Sequence, residues 1–166
     1  LPFAEDVQEG GEGGTSRNRR LTVSGNVSGA TYTALSSFYS STAGESWTNN
    51  DHWMNGSDPC TPEWYGVDCI SGEVTKLSFE SNNLNGSLPS ELGGLTEVYN
   101  FVLWTNHLSG SIPSELGALS KMRNIKLSFN DLTGSIPSEL GAMTEMTSRF
   151  DLEANELTGS IPSELG

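Results

Sequence analysis

The chain has 166 residues and a formal net charge of −13, from 21 acidic and 8 basic side chains. This negative charge argues against a nucleic-acid backbone or an anionic membrane as partner, since both would repel it. No stretch approaches the roughly 20 apolar residues that cross a bilayer, so we expect no direct membrane insertion in this segment. A domain usually holds about 100–150 residues, so the length predicts one domain with an appendage.

Residues 1–29 are predicted to form a disordered or extended tail. The stretch Glu9–Gly14 alternates glutamate with glycine pairs, and few large apolar side chains lie near it. Such a segment buries too little apolar surface to offset the entropy lost on ordering. The pair Arg19-Arg20 is either a site for a processing protease or two solvated charges. Because the chain begins at Leu1 without a leader, we expect a processed or partial chain.

The second half of the chain is an internal repeat. A Pro-Ser-Glu-Leu-Gly segment begins at Pro89, Pro113, Pro137 and Pro162, so its spacings are 24, 24 and 25 residues. An Asn-x-Leu segment begins at Asn82, Asn106, Asn130 and Asn155 with the same spacings. The last spacing of both segments contains one extra residue. Aligning the repeats with one another places this residue near Thr147–Arg149. A period in the twenties with this leucine spacing predicts a leucine-rich repeat solenoid.

Each part of the repeat has a predicted structural role. Apolar residues at alternate sites, such as Leu77 and Phe79, are expected to point from a short strand into the core. The repeat asparagines are predicted to form a ladder with backbone groups of adjacent coils. The Pro-Ser-Glu segment is expected to begin a helical turn, which the following glycine ends. The fold class is therefore an α/β solenoid with a parallel concave sheet.

The recurring Leu-x-Gly-Ser-Ile/Leu-Pro-Ser-Glu-Leu-Gly motif resembles the plant-type leucine-rich repeat class. That resemblance implies a right-handed coil with a second, lateral sheet at Gly-Ser-Ile-Pro. The repeats are predicted at 74–97, 98–121, 122–145 and, incomplete, 146–166. With no closing coil after Gly166, we expect no C-terminal cap, so that either further repeats follow or a partner covers the last coil.

Residues 30–73 resemble the N-terminal capping region of the same class. A short helix around Ala34–Tyr39 precedes Trp47, Trp53 and the segment Cys60–Cys69. The run Phe38–Trp47 is closer to versions from diatoms and other algae. The resemblance implies a Cys60–Cys69 disulfide, hence an oxidising compartment. For Trp47, Trp53 and Trp64 two interpretations remain, a ligand-binding box and the core of the cap, and the second is favoured.

The compartment expected from the disulfide is extracellular, secreted or on the cell surface, or else an organelle lumen. Three sequons, at Asn26, Asn55 and Asn85, are compatible with glycosylation and secretion. A zinc site at the two cysteines would need help from His52, and a disulfide is the favoured interpretation.

No catalytic constellation is evident. His52 and His107 sit in neither a nucleophile-elbow nor a zincin pattern, and His107 occupies the variable position after a repeat asparagine. We therefore predict a protein that is not an enzyme, with no cofactor and no metal. Asp151 and Glu153 could together hold a cation, but an ordinary solvated edge is favoured.

The strand residues that alternate with the core ones are expected to face outward on the concave sheet and to form the binding side. The candidates are Lys76, Glu80, Asn100, Val102, Trp104, Asn124, Lys126, Phe129, Arg149, Asp151 and Glu153. Trp104 and Phe129 are predicted to be exposed aromatic residues in neighbouring coils. They are consistent with a protein or sugar contact and equally with scattered surface aromatics.

Three functions remain open at this point. The favoured one is a non-enzymatic recognition module that binds a protein, peptide or glycan on the concave face. The second is a structural subunit or spacer of a larger assembly, with a neighbouring subunit docked on the C-terminal coil around Phe150–Gly166. The third, inhibition of a secreted polysaccharide hydrolase, rests on analogy with plant relatives of the fold.

Overall fold

The computed structural model describes residues 27–56 and 58–166. Most of the predicted tail, together with the sequon residue Asn26 and the Arg19-Arg20 pair, lies outside this described part. The description begins just before helix α1, Gly29–Ser41. Ser28 is its N-cap, and the Ser28 hydroxyl accepts a hydrogen bond from the Thr31 backbone N–H at 3.1 Å. This satisfies one of the backbone donors that a helix N-terminus leaves unpaired.

Two sheets run along the repeats. The first contains β1 (Val67–Ile70), β2 (Glu73–Ser78), β4 (Asn100–Val102), β6 (Asn124–Lys126) and β8 (Arg149–Asp151), in that order. The second contains β3 (Asn85–Ser87), β5 (His107–Ser111), β7 (Asp131–Gly134) and β9 (Glu156–Leu157). Only β1 pairs antiparallel, against β2, and the other pairings are parallel. Each repeat thus adds one strand to each sheet, as predicted for a solenoid with a concave and a lateral sheet.

The solenoid core is built from the apolar positions of the repeat. Leu77, Phe79, Leu84 and their equivalents in the next two coils are buried, whereas Phe150 and Leu152 are half-buried. In the cap, Trp47, Trp53 and Trp64 are 5%, 6% and 1% exposed. These indoles pack with one another and with Phe38 and Phe79. The interpretation of the three tryptophans as an open ligand box is therefore wrong, because they form the core of the cap.

Short 3₁₀-helices follow the proline of each repeat, at Ser90–Gly94, Ser114–Ala118, Ser138–Ala142 and Ser163–Leu165. The expected role of the glycine in this turn is wrong. Gly93 and Gly117 lie inside their helices and do not end them. A Cβ on Gly117 would overlap the backbone carbonyl of Glu139 in the next coil, and Gly93 faces Glu115 in the same way. The glycine is therefore required by the close approach of successive coils.

The repeat asparagines form a ladder along the solenoid. The Asn106 Oδ1 atom accepts hydrogen bonds from the backbone N–H groups of Asn82 and Leu84, both at 3.0 Å. Its Nδ2 group donates to the carbonyls of Phe79 and Leu103. Equivalent bonds from Asn130 and Asn155 continue the ladder at each later coil. Asn82 makes the first rung by bonding to the backbone N–H and carbonyl of Asn49 in the cap.

The cap is closed by a Cys60–Cys69 disulfide, as the resemblance implied, across a sequence separation of 9. Both cysteines are partly buried and pack against the hydrophobic core. Among the described residues, no helix combines the length and the apolar character needed to cross a membrane.

Candidate binding surface on the concave sheet

The predicted concave residues lie on one inner surface of the solenoid, or directly beside it. Lys76, Asn100, Asn124, Lys126, Arg149 and Asp151 belong to the strands of the first sheet, and Glu80, Trp104, Phe129 and Glu153 follow those strands. Parallel pairing aligns Lys76 with Asn100, Asn100 with Asn124, and Asn124 with Arg149. Nearly the whole candidate set is therefore brought together by the sheet.

Val102 departs from the expected pattern. It is only 7% exposed, so the prediction of an outward, accessible side chain is wrong for this residue. In the parallel register it stands between Ser78 and Lys126. The inner face of a curved sheet crowds its side chains, so a short branched residue is shielded where longer polar ones still reach solvent.

The two predicted aromatic residues differ in their surroundings. Trp104 is half-buried, and its Nε1–H donates a hydrogen bond to Glu80 Oε2 in the preceding coil at 3.0 Å. Phe129 is 51% exposed and has a backbone φ of 56°. The equivalent positions in the other coils, Ser81, Thr105 and Ala154, also have positive φ. The left-handed conformation thus belongs to the repeat, but only this coil places a bulky side chain there.

Basic residues concentrate on this side of the solenoid. Eight lysines and arginines occur in the chain, and the five within the described residues are Lys76, Lys121, Arg123, Lys126 and Arg149. Four of them have acidic neighbours: Lys76 with Asp68, Lys121 with Glu97, Arg123 with Glu145, and Arg149 with Asp151. The hydrogen bond from Lys76 to Asp68, 2.8 Å long, raises the pKa of the lysine above its ordinary value. These pairs are at least partly exposed, so each stabilises the fold only weakly.

A groove of about 560 Å³ opens at the end of the sheet where these strands begin. Its lining residues are Tyr99, Asn100, Arg123, Asn124, Lys126, Thr147, Ser148 and Arg149. Three of the lining side chains are cationic and none is acidic. The predicted site residues did not include four of the lining residues, namely Tyr99, Arg123, Thr147 and Ser148. These four precede the strands, at positions where the repeat has no recurring residue type. The clustering of the basic residues in the second half of the chain is the sequence signal that could have identified this region.

Among the described residues, no group of three or more histidine, cysteine, aspartate or glutamate side chains is placed to hold a metal ion. The Nδ1 atom of His107 lies 3.9 Å from Asp131 Oδ2, and both side chains are largely exposed. Asp151 and Glu153 are joined by a hydrogen bond from the Glu153 backbone N–H to Asp151 Oδ1. These two carboxylates alone supply fewer oxygen ligands than a bound cation needs.

The lateral sheet forms a second surface. Its extended groove is lined mainly by glycine, serine and proline from successive Gly-Ser-Ile-Pro-Ser segments. Asn85, one of the sequon asparagines, is exposed on β3 of this sheet. Asn55 is also exposed, whereas Ser57 of its sequon lies outside the described residues. A glycan on Asn85 would therefore stand on the lateral sheet, away from the concave residues.

A family model described as Leucine Rich Repeat matches residues 73–95 and 121–143, which are two of the coils described above. The chain therefore contains leucine-rich repeats and is similar to plant leucine-rich repeat proteins. Phytosulfokine receptor 2 of Arabidopsis thaliana is 44% identical to it over 52 residues, which cover 29% of this chain and 5% of the receptor. Two other curated relatives are a receptor protein kinase of rice and a probable leucine-rich repeat receptor-like protein kinase of Arabidopsis, and the chain likewise spans 5% of their length.

Solved structures extend the likeness through the cap. The PEPR1–AtPEP1 structure shares 29% identity with this leucine-rich repeat chain at a TM-score of 0.70, covering 81% of it and 19% of the matched chain. A plant ice-binding protein shares 26% identity at a TM-score of 0.73, covering 84% of this chain and 45% of that one. Proteins with different ligands thus share the fold, so the ligand has to be argued from the surface.

Proposed function

We propose that this chain is the non-enzymatic recognition module of a secreted or cell-surface protein and binds a protein or peptide through its concave sheet. The observation that carries the proposal is Phe129. This residue is exposed and adopts a left-handed backbone conformation, so it gains little from burial and its backbone is strained. The left-handed backbone is common to all four coils, so the feature that distinguishes this coil is a large exposed apolar side chain, which is typical of an interaction surface.

Trp104 supplies a second aromatic anchor in the preceding coil. Its hydrogen bond to Glu80 holds the indole in one orientation across two coils, which lowers the entropy that a partner would lose by ordering it. Aromatic residues with fixed orientation dominate the energetics of many protein interfaces. Together, the tryptophan and the phenylalanine give the concave face an apolar centre, with Glu80 one coil before Trp104 and Glu153 one coil after Phe129. The basic residues of the groove lie nearer the start of the strands.

Two findings support the class and the compartment. PEPR1, whose solved structure pairs it with AtPEP1, has a similar fold over most of this chain, and curated relatives are named as receptors or receptor kinases. The Cys60–Cys69 disulfide requires an oxidising compartment. These observations favour an extracellular ligand-binding role over the spacer and hydrolase-inhibitor alternatives.

Selection from a random peptide library displayed on phage tests the proposal directly. Peptides enriched on the wild-type protein are measured against a Trp104→Ala/Phe129→Asn variant and against a lateral-sheet control, Ser111→Ala/Thr133→Ala. We expect the concave variant to lose at least tenfold in affinity, about 1.4 kcal/mol, and the control to stay within twofold. Unchanged binding by the concave variant, with its melting intact, would reject the concave face as the recognition surface.

The alternatives predict other outcomes of simple measurements. A spacer docked through Phe150–Gly166 would yield no concave-dependent peptides and would self-associate or capture a neighbour through that coil. A hydrolase inhibitor would slow polygalacturonase at micromolar concentration, and the proposal expects no such effect.

A further inference from the structure

Building on the proposed function, we propose that the groove lined by Arg123, Lys126 and Arg149 is an anion subsite that receives a carboxylate of an acidic peptide bound on the concave sheet. The groove holds three of the five cations in the described residues, and its lining contains no acidic side chain. The chain as a whole has a net charge of −13. A local group of positively charged side chains therefore attracts acidic ligands that the rest of the surface repels.

Lys126 is the cation available to a ligand without rearrangement. It is the last residue of β6 and is half-buried, and no hydrogen bond or ion pair holds its ammonium group within the part of the chain that the structure describes. Arg123 contacts Glu145 through Nε and Nη2, at 3.4 and 3.2 Å. The Arg149 Nη1 atom lies 3.9 Å from Asp151 Oδ2. A carboxylate in the groove would therefore pair with Lys126 first and share the two guanidinium groups with their exposed partners.

The groove coincides with the single place where the repeat period slips. Met146 keeps the position of Met122, since both backbone N–H groups bond to the residue three before them, Met143 and Leu119. Arg149, however, pairs with Asn124, 25 residues earlier. The extra residue thus falls within 147–148, where the Ser148 N–H bonds to the Arg123 carbonyl. Thr147 and Ser148 form the groove wall, adding hydroxyl groups beside the cations.

Neutral polar groups complete the site. Asn124 donates a side-chain hydrogen bond to Asn100 Oδ1, which fixes both amides in adjacent coils. The hydroxyls of Thr147 and Ser148 belong to exposed residues and can donate to a ligand oxygen. The groove therefore offers charge and directional donors together, the combination that recognises a carboxylate.

A peptide fits this groove better than an acidic sugar does. Sugars bind on flat, open aromatic faces, and the single aromatic residue of the lining is Tyr99. The Arg123 guanidinium stands over that ring, 5.9 Å from its centroid, so one face is covered. The groove also lies on the same sheet as Trp104 and Phe129. A short extended peptide can therefore place an acidic residue in the groove and apolar residues on the aromatic anchors.

The test is an NMR titration of the ¹⁵N-labelled chain with acetyl-Gly-Glu-Glu-Gly-amide, with acetyl-Gly-Gln-Gln-Gly-amide as the matched neutral probe. Signals to follow are the Nε–Hε groups of Arg123 and Arg149 and the backbone amides of Lys126 and Ser148. We expect saturable shifts at these groups with the glutamate peptide only. An Arg123→Gln/Lys126→Gln/Arg149→Gln variant should bind at least tenfold more weakly, Arg149→Lys should retain most of the binding, and Lys121→Gln, outside the groove, should match wild type.

Three results would overturn the subsite: no shifts at the groove, equal shifts with the glutamine peptide, or equal loss in the Lys121→Gln control. Digalacturonate is titrated in parallel, and tighter binding of this sugar than of the glutamate peptide would overturn the peptide assignment. The melting temperature of the triple variant is measured to establish that it is folded, so that its weaker binding can be attributed to the lost positive charges. If the groove fails while library peptides still depend on Trp104 and Phe129, the anion subsite is wrong and the proposed recognition function stands.

Discussion

Asn106 accepts a hydrogen bond at 3.0 Å from the backbone N–H of Asn82, 24 residues earlier and one coil back. The same carboxamide bonds to Leu84, Phe79 and Leu103, and both asparagines are buried. One side chain therefore satisfies backbone groups of two coils. The Asn106 side chain thus connects its own coil to the preceding one by hydrogen bonds.

Asn106→Ala should destabilise the protein by about 3 kcal/mol or more, because each buried backbone group left unpaired costs about 1–3 kcal/mol. The measurement is the free energy of unfolding in urea. His107→Ala, at the exposed neighbouring position, is the control and should stay within about 0.5 kcal/mol. Equal effects of the two substitutions would contradict the ladder as a stabilising element.

Gly117→Ala should destabilise the protein by about 1–3 kcal/mol, since the new methyl group overlaps the Glu139 carbonyl and forces the coils apart. Gly94→Ala is a matched control in the preceding coil, where a Cβ meets nothing within 4 Å. That change should be neutral or stabilising by up to about 1 kcal/mol. Thermal unfolding of the two variants distinguishes a close-approach glycine from a merely flexible one.

Replacing both cysteines, Cys60→Ala/Cys69→Ala, should lower the free energy of unfolding by about 2.5–3 kcal/mol, the loop-closure value for a ring of about ten residues. Dithiothreitol should produce a similar loss in the wild type and none in the variant. A wild type that melts identically with and without reductant would contradict a stabilising role of the disulfide in the cap.

The Lys76–Asp68 pair predicts a small alkaline effect. Because the folded-state pKa of Lys76 is raised, its contribution is fully present below the ordinary pKa and is lost as the pH rises through the raised one. Both side chains are substantially exposed, so the contribution should lie within about 0.2–1 kcal/mol. The stability difference between wild type and Lys76→Met should accordingly shrink between pH 8 and pH 12. A difference that grew over this range would contradict the assignment.

Periodicity made most of this fold predictable. A repeated motif fixes the register of every coil, so the core positions, the asparagine ladder and the site of the extra residue near Thr147–Arg149 follow from spacing. The cap disulfide followed from resemblance to a known motif. The repeat fold and the disulfide were both predicted from local sequence patterns, and a single sequence is enough to show such patterns.

The errors arise where coils meet in space. Val102 occupies an outward strand position, yet neighbouring strands shield it, and periodicity alone gives no measure of such crowding. The turn glycine resembles a helix terminator, but its requirement is set by a carbonyl 22 residues later, as with Gly117 and Glu139. The basic groove was missed because Arg123 and Ser148 precede the strands, and only the stacking of coils brings them together.

Phe129 is an exposed aromatic residue with a left-handed backbone conformation, and the proposed recognition function depends on its side chain. The most direct measurement compares Phe129→Asn with Thr105→Asn, the equivalent left-handed position one coil earlier, for melting temperature and for affinity to a peptide selected on the wild type. Asparagine tolerates this conformation, so both variants should gain up to about 1 kcal/mol in stability. Only Phe129→Asn should lose at least tenfold in affinity. If Phe129→Asn binds within twofold of the wild type, recognition does not depend on this residue and the proposed binding site on the concave sheet is wrong.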